Sequence, residues 1–480
     1  MTAGPQFSVH QPGGAPDRAT GGATGGATGG ATDGGRPLRV AVIGAGPAGI
    51  YTADHLTAAG DGTVLVDLLE RLPVPFGLLR YGVAPDHVNI KSTGRTLMQV
   101  LSRPQVRLLA HVDVGRDVTV AELRERYDVV VHAVGASDDK RIGIPGEDLP
   151  GSISATSYVA WYNGHPEGAP PELGGARVVA VVGVGNVAVD VARILLRDPE
   201  ELSPTDVPQD VLDALRASPV TDVHLLGRRG PQHAKWTTKE LRELGELSGV
   251  AVVVDDGQLP AEPPEGATPG TLRNLAVLRD WAARPSDDAR RRVHLHFGAR
   301  PVEILGPDRV TGLRLERTSA EGVGAGETWV LPVDAVLRSV GYRGSVPPGV
   351  PFDDVTHTIP SRASRVLRDG EAPPGEYVVG WIKRGATGVL GTNRSDAKDT
   401  VTTIRADAAQ LLAARPPDPG GVAPLLAARD VRYVDLDGWL AVVDAERRHG
   451  SAHGRGAVKI SDWEQLLAAA DEALTPPPAR

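Results

Sequence analysis

Two stretches of the chain place a short apolar run directly before a glycine turn and a helical pattern of apolar residues. The first, VAVIGAGPAGIYTADHL, predicts a strand over 39–43 and a helix over 47–59. The second, VVAVVGVGNVAVDVARIL, predicts a strand over 178–182 and a helix over 187–196. One such stretch is common, but two in different surroundings indicate that one chain binds two nucleotides.

Continuous apolar runs predict further buried strands of the kind found in parallel sheets. These strands cover 63–70, 127–134, 334–342 and 376–381, and further helices are predicted over 395–414 and 461–474. Segment 156–175 is predicted to be a helix followed by a long loop. The order of elements favours one domain inserted into another. Segments 37–137 and 346–480, the latter with a C-terminal extension, form one expected domain, and 138–345 forms the other.

The composition excludes several kinds of chemistry. The 480-residue chain contains no cysteine, which excludes disulfides, cysteine-ligated iron–sulfur clusters and dithiol redox chemistry. Its net charge of −9 argues against attraction of the whole surface to nucleic acid. With no membrane-length apolar run and no recognisable secretory signal, a cytoplasmic location is expected. Residues 1–36 contain GGATGGATGGAT and are predicted to be disordered.

The first glycine motif has the context of a dinucleotide-binding fingerprint. Gly44 permits a tight turn, Gly46 lets the backbone approach a pyrophosphate, and Gly49 lets the helix pack closely on the strand. Glu70 ends the next strand, where a carboxylate accepts hydrogen bonds from ribose hydroxyls. The long loop 71–92, rich in proline and glycine and not expected to be helical, favours FAD over NAD as the ligand.

The strand that follows the second glycine motif ends in basic residues, whereas the strand after the first motif ends in an acid. Gly183, Gly185 and Asn186 form the turn, and the strand TDVHLLG ends in Arg228 and Arg229. Two guanidinium groups suit a 2′-phosphate, because charge-assisted forked hydrogen bonds to phosphate are strong. This pattern selects NADP(H) over NAD(H). Without cysteine, a hydride would pass from nicotinamide to flavin with no dithiol relay, and no metal site is predicted.

The chain resembles the adrenodoxin reductase type of NADPH–ferredoxin reductase. The resemblance is carried by PFGLLRYGVAPDH, AWYNGHP, GVGNVAVDVARIL, GRRGP and GWIKRGATGVLGTNRSDA, which spread over most of the chain from about residue 38. It implies an α/β fold with two Rossmann-like dinucleotide-binding domains, the NADP domain inserted into a split FAD domain. The family often has GPTGVIGTN where this chain has GATGVLGTN, a departure that leaves cofactor binding intact.

The resemblance also implies roles for individual residues. The implied FAD contacts are Ala48, Glu70, Leu78, Val112, Trp381, Gly388, Val389 and Leu390. The implied NADP contacts are Gly185, Asn186, Val187, Arg228, Arg229, Glu240 and Gly388. A helix starting near Gly388 would direct its N-terminal N–H groups at the flavin. His87 and Glu243 match positions regarded as part of the catalytic pocket, with a role in proton management or orientation.

The implied reaction passes a hydride from NADPH to FAD and then single electrons to a ferredoxin that feeds a cytochrome P450 or another acceptor. An acidic ferredoxin would dock on a basic face, for which Lys239, Arg242 and Lys398 are candidates. Three alternatives stay open. A flavin monooxygenase or oxidase needs a substrate pocket over the flavin, and a reductase subunit of the glutamate synthase kind usually carries cysteine-bound clusters. A non-catalytic FAD-binding redox sensor would not oxidise NADPH.

Overall fold

The computed structural model describes residues 36–284, 289–414 and 420–474. The N-terminal tail was predicted to be disordered over residues 1–36. Residues 1–35 lie outside the described residues, and only Arg36 is described. Arg36 pairs with Asp128 at the start of a core strand, and its Nη2 lies 2.8 Å from Asp128 Oδ1.

The first sheet has seven strands and forms the core of what we call the first unit. In spatial order the strands are Ser361–Arg362, Arg365–Val366, Glu376–Val378, Val129–His132, Leu38–Ile43, Val64–Glu70 and Val106–Ala110. The last five pair in parallel. The strand from the third segment therefore completes a sheet begun more than 300 residues earlier, as the predicted insertion requires.

The second sheet has six parallel strands and forms the core of the second unit. Their spatial order is Ser152–Ser154, Ala335–Arg338, Val178–Val182, Asp222–Gly227, Arg291–Phe297 and Val250–Val254. Their apolar faces are almost fully buried, for example Val179, Val181, Val223 and Leu225 at 0% exposure. Burial on both faces explains the continuous apolar runs in the sequence.

Two smaller sheets complete the strands. Ala299–Leu305, Gly312–Thr318 and Gly324–Leu331 form an antiparallel sheet that packs over one face of the second sheet. Asp138–Asp139 pairs with Tyr342–Arg343 where the chain passes between the units. This three-stranded sheet was not predicted, because its third strand is mostly exposed and has no regular alternation of buried and exposed residues.

Helices cover both faces of the first sheet, whereas in the second sheet they pack on the face opposite the antiparallel sheet. The α-helices are Pro47–Leu56, Leu78–Tyr81, Val88–Lys91, Thr93–Leu101, Val120–Arg126, Ala155–Tyr162, Asn186–Leu196, Pro199–Leu202, Gln209–Arg216, Thr238–Leu244, Pro269–Ala282, Trp381–Arg384, Leu390–Ala413, Ala423–Ala428, Leu436–Ala452 and Trp463–Asp471. Short 3₁₀ helices span Pro231–His233, Asp256–Gln258 and Glu472–Leu474. Within the described residues, no helix combines the length and apolarity needed to cross a bilayer.

The fold class predicted from the sequence is confirmed, with corrections to individual elements. Loop 71–92 is not free of helix, because it contains the short helices Leu78–Tyr81 and Val88–Lys91. The helix predicted from residue 395 begins at Leu390, since the Thr392 hydroxyl accepts a hydrogen bond from the Val389 N–H and caps the first turn. The glycine and proline content of residues 71–92 predicted a loop there, whereas the resemblance had already implied a helix start near Gly388.

Candidate active site

The first glycine turn joins the strand Leu38–Ile43 to the helix Pro47–Leu56. Gly44 has φ +108°, and a Cβ on it would lie 2.5 Å from the Ala133 carbonyl oxygen. A Cβ on Gly49 would lie 2.0 Å from the Gly44 carbonyl oxygen, whereas one on Gly46 would meet nothing within 4 Å. Gly44 and Gly49 are therefore required by the fold, while Gly46 keeps space open before the helix N-terminus, as a pyrophosphate site needs.

Glu70 lies at the end of the neighbouring strand, beside this turn. Its Oε2 accepts a hydrogen bond from the Ala45 N–H at 2.9 Å, and its Oε1 accepts one from the Leu72 N–H at 3.1 Å. Burial raises the pKa of the Glu70 carboxyl against the effect of these two donors. The Val112 N–H donates to the Glu70 carbonyl at 2.9 Å. Glu70 and Val112, both expected FAD contacts, are thus neighbours.

Other expected FAD contacts converge on the same turn. A Cβ on Gly77 would lie 3.2 Å from the Gly46 Cα, which places Leu78 beside the turn. A Cβ on Gly380 would lie 2.8 Å from the Ala48 Cβ, so the segment that begins with Trp381 packs on the helix after the turn. Residues separated by more than 330 positions therefore surround one space.

Gly388 and Val389 come directly before the long helix Leu390–Ala413, which begins with Leu390. Gly388 has φ +87°, and the Val389 side chain is 62% exposed although it is apolar. The buried Asp396 carboxylate accepts hydrogen bonds from the Gly380 N–H and from Lys383 Nζ, both at 2.6 Å. Asp396 therefore ties the Trp381 segment to this helix. The direction of the helix N-terminus toward a flavin stays a prediction.

The second glycine turn repeats the geometry of the first. Gly183 has φ +139°, and a Cβ on it would lie 2.3 Å from the Ser339 carbonyl oxygen, whereas a Cβ on Gly185 would meet nothing within 4 Å. Asn186 starts the helix and accepts a hydrogen bond from the Thr237 N–H at 2.9 Å. This turn also leaves room for a phosphate before a helix N-terminus.

Arg228 and Arg229 follow the strand next to this turn. Among the described residues, neither guanidinium forms an ion pair or a hydrogen bond. Their backbone is held, since Thr318 Oγ1 donates to the Arg228 carbonyl at 2.5 Å and the Gly230 N–H donates to the Ala320 carbonyl at 2.8 Å. A fixed backbone with two unpaired cations fits a phosphate group.

Two further expected NADP contacts have structural roles in the fold. Val187 packs against the core of the second unit. Glu240 lies in the first turn of the helix Thr238–Leu244, where its N–H donates to Thr237 Oγ1 at 3.3 Å and its carboxylate accepts a hydrogen bond from the same hydroxyl. Their contact with NADP stays a prediction.

The two candidate catalytic residues, His87 and Glu243, meet at the boundary between the units. His87 Nε2 lies 2.9 Å from Asp190 Oδ1, 2.9 Å from Arg193 Nη2 and 3.9 Å from Glu243 Oε2. Arg193 is 1% exposed and also pairs with Asp86. Five ionisable side chains from the loop of the first unit and two helices of the second therefore form one cluster.

The charge state of His87 follows from this cluster. Burial favours the neutral imidazole, but the hydrogen bond and charge of Asp190 outweigh burial, and the net pKa of His87 is raised above its ordinary value. Protonated, His87 donates from Nε2 to Asp190; deprotonated, it accepts from Arg193. The pKa of Asp86 is lowered, because its bonds to Arg193 outweigh the effect of burial.

Comparisons with known proteins agree with this geometry. A family model of pyridine nucleotide-disulphide oxidoreductases matches residues 38–254. The NADPH-ferredoxin reductase FprA of Mycobacterium tuberculosis is 44% identical over 455 residues, which cover 90% of this chain and 99% of that protein. The chain belongs to the NADPH–ferredoxin reductase family.

A second family member and a solved structure of FprA itself are similar over nearly their whole length. The mitochondrial NADPH:adrenodoxin oxidoreductase of Arabidopsis thaliana is 37% identical, covering 91% of this chain and 96% of that protein. The solved structure of Mycobacterium tuberculosis FprA in complex with NADPH has a TM-score of 0.84 at 42% identity, covering 91% of this chain and 100% of that one.

Three site residues of this NADPH–ferredoxin reductase family member were not predicted from its sequence. Asp86, Asp190 and Arg193 form ion pairs around His87 but were not singled out. A signal was present, because Asp190 and Arg193 are charged residues three positions apart in an otherwise apolar helix. Such a pair in a buried helix indicates a partner elsewhere in the fold.

Proposed function

We propose that this protein is an NADPH-dependent ferredoxin reductase that binds FAD in the first unit and NADP(H) in the second. Bound together, these cofactors supply hydride transfer from NADPH to FAD and the release of single electrons to a ferredoxin. The observation that carries the proposal is the unpaired Arg228–Arg229 pair beside the second glycine turn. The first turn has the acid Glu70 at the corresponding strand end, which suits a ribose without a 2′-phosphate.

In this proposal the chain's own residues bind and orient the two cofactors. The N–H groups after Gly46 and Gly185 would hold the two pyrophosphates, and Arg228 and Arg229 would read the 2′-phosphate. Residues 388–390 and Trp381 would line the FAD site, and Asn186 and Glu240 the NADP site. The open faces of both turns support this assignment, because a Cβ added to Gly46 or Gly185 would project into empty space.

We infer that His87 and Glu243 manage protons and orientation beside the reacting rings. Hydride transfer itself needs no acid or base, so these side chains would instead hold or accept the proton that bound cofactors release when single electrons are passed on. His87 is suited to this task, since Asp190 and Arg193 offer partners to both of its protonation states. Glu243 Oε2 is buried, accepts no hydrogen bond from any described residue and lies 3.6 Å from Arg193 Nε, so its charge belongs to the same cluster.

The adrenodoxin reductase subclass and the ferredoxin partner are the finer parts of this proposal. Support comes from the plant adrenodoxin oxidoreductase described above. Of the three docking candidates, Lys239 and Arg242 are exposed on the helix Thr238–Leu244, while Lys398 is exposed on the long helix of the first unit. Arg242 borders a groove of about 450 Å³ that also contains Arg273 and Arg284. Glu246 and Asp280 also line this groove, and Asp280 pairs with Arg284, so the docking proposal rests on the exposed Lys239 and Arg242 rather than on the groove as a whole.

The experiment that tests the proposal is anaerobic stopped-flow mixing of the purified yellow protein with NADPH, then with a [2Fe–2S], [3Fe–4S] or [4Fe–4S] ferredoxin and cytochrome c. Flavin bleaching followed by cytochrome reduction that requires ferredoxin is the expected result. A bleached flavin that is reoxidised rapidly only by oxygen with a small substrate would instead support a monooxygenase. Absence of bleaching would support a non-catalytic flavin protein.

Two other expectations from the sequence stay predictions. One is a cytochrome P450 as the enzyme that ferredoxin supplies. The other is a cytoplasmic location, which cell fractionation with an antibody against the native protein would test.

A further inference from the structure

Lys459, in the C-terminal part of the chain, contacts both units through its side-chain nitrogen. Its Nζ donates to the Arg80 carbonyl of the first unit at 2.9 Å. It also donates to the Asn163 carbonyl of the second unit at 3.0 Å and lies 3.5 Å from Asp206 Oδ2. The Lys459 side chain is only 2% exposed. A buried side-chain nitrogen with acceptors on both sides therefore joins the two units directly.

Neighbouring side chains strengthen the same junction. Arg455 donates to the carbonyls of Thr205 at 2.8 Å and Val207 at 2.5 Å, which attaches the C-terminal segment to the second unit. Lys91 of the first unit donates to Asp206 of the second at 2.9 Å. We call Lys91, Asp206, Arg455 and Lys459, with the two carbonyls that Lys459 contacts, the interdomain junction.

The other end of the C-terminal segment is fixed in the first unit. The Glu446 carboxylate binds the Arg80 guanidinium at 2.5 Å and accepts the Ile460 N–H at 3.0 Å. Trp439 packs edge-on against Phe76, with ring centroids 5.8 Å apart. The C-terminal segment is therefore bound to both units. Its contacts with the second unit fix the orientation of that unit relative to the first.

The junction adjoins the loop that carries two candidate site residues. Arg80 and Lys91 belong to the same loop as Leu78 and His87. Hydride transfer would require the donor and acceptor atoms to approach to roughly 3–3.5 Å, and an error near 1 Å costs about a hundredfold in rate. The FAD ring would belong to one unit and the nicotinamide to the other, so the angle between the units sets this distance.

We propose that Lys459 is a positioning residue that holds the two units in the orientation used for hydride transfer. This inference rests on the proposed reductase function. Lys459 does not touch the glycine turns or the Arg228–Arg229 pair. Its loss should therefore leave the binding of each cofactor in place and disturb only their mutual approach.

The test is Lys459→Met in the full-length, FAD-loaded protein, with Arg432→Met as the matched control. Arg432 lies in the same C-terminal part, but it pairs with Asp471 at the surface, away from the junction. In Lys459→Met we expect unchanged FAD content and unchanged affinity for 2′,5′-ADP by calorimetry. The rate of flavin reduction at saturating NADPH should fall by about tenfold or more. Oxidation of the dithionite-reduced variant by ferricyanide should keep its rate, because it needs the first unit alone.

A folded, yellow Lys459→Met protein that is reduced by NADPH at the native rate would overturn the inference. If this variant does not fold, Lys91→Met tests the same junction from its more exposed side, and an unchanged reduction rate there would also overturn it. Failure of the native protein to oxidise NADPH would instead overturn the proposed function. The two failures are therefore distinguishable.

Discussion

His87 and Asp190 lie 103 positions apart in the chain, and their side chains meet at 2.9 Å between the two units. Arg193 Nη2 lies 2.7 Å from the same Asp190 oxygen and 2.9 Å from the same histidine nitrogen. These three atoms form a triangle. With a proton on Nε2, the His87 imidazole donates to Asp190; without it, Nε2 accepts from Arg193. The contact therefore couples the protonation of one unit's loop to the helix that starts at the other unit's nucleotide turn.

Replacing Asp190 with Asn should lower the pKa of His87, because the charge and hydrogen bond that raise it are weakened. The charged pair stabilises the fold fully below the ordinary imidazole pKa of 6.5, and this contribution is lost as pH rises through the raised value. NMR titration of the imidazole signals, with His87 assigned through His87→Gln, measures the shift.

Asp222→Asn is the matched control for that titration. Asp222 pairs with His294 at 3.0 Å on the second sheet, far from the cluster around His87, so its loss should leave the titration of His87 unchanged. An unchanged His87 titration in Asp190→Asn would contradict the role that we assign to this pair.

Replacing Arg228 with Ala should raise the KM for NADPH by about 10- to 100-fold, the effect of losing roughly 1.5–3 kcal/mol of charged hydrogen bonding. The KM for NADH should change little, since NADH has no 2′-phosphate. Steady-state kinetics with both nucleotides gives the comparison. Arg317→Ala, which removes an exposed arginine paired with Glu327, serves as the control. Equal losses with both nucleotides would show that Arg228 does not read the phosphate.

The two glycines of the first turn should respond differently to alanine. Gly44→Ala should destabilise the fold by at least about 2 kcal/mol, because of the positive φ and the overlap with Ala133. Gly46→Ala should cost no more than about 1 kcal/mol in the flavin-free protein but should abolish FAD retention, since its methyl group enters the expected pyrophosphate space.

Urea unfolding and the ratio of flavin to protein absorbance separate these effects. Gly94→Ala is the control, because Gly94 lies in the helix Thr93–Leu101 and a Cβ there also meets nothing within 4 Å. Full FAD retention in Gly46→Ala would rule out the assigned position of the pyrophosphate.

Glu376 should make the stability of the first unit depend on pH. Burial disfavours its charged form, but hydrogen bonds from His132 at 2.8 Å and Arg368 at 2.7 Å outweigh burial and lower the pKa of Glu376 to about 2. A lowered carboxyl pKa stabilises the fold above the ordinary value of 4.5, and this contribution is lost as pH falls toward about 2.

Glu376→Gln should therefore cost about 3–5 kcal/mol at pH 7 and flatten the pH dependence between 4.5 and 2. Urea unfolding at several pH values measures both effects. Glu371→Gln, on the exposed turn just before this strand, should change neither. An equal loss in both variants would show that the buried contacts of Glu376 are not responsible.

The glycine turns show how far local sequence reasoning reaches. Gly44 and Gly183 were assigned to tight turns, and both have positive φ and no room for a Cβ. Asp190 and Lys459 show its limit, because their partners are about 100 to 380 positions away along the chain. No local period relates such residues, although a charged residue within an apolar helix marks Asp190 as unusual.

By itself the sequence determined the two glycine turns, the strands that precede them, and the acid and arginine pair at the following strand ends. These features depend on backbone sterics and on charges within a few tens of residues, so local sequence patterns are enough to predict them. Only the tertiary structure decided that His87 meets Asp190 and that Lys459 joins the two units. Such contacts depend on how the units pack, and packing brings together residues that share no pattern along the chain.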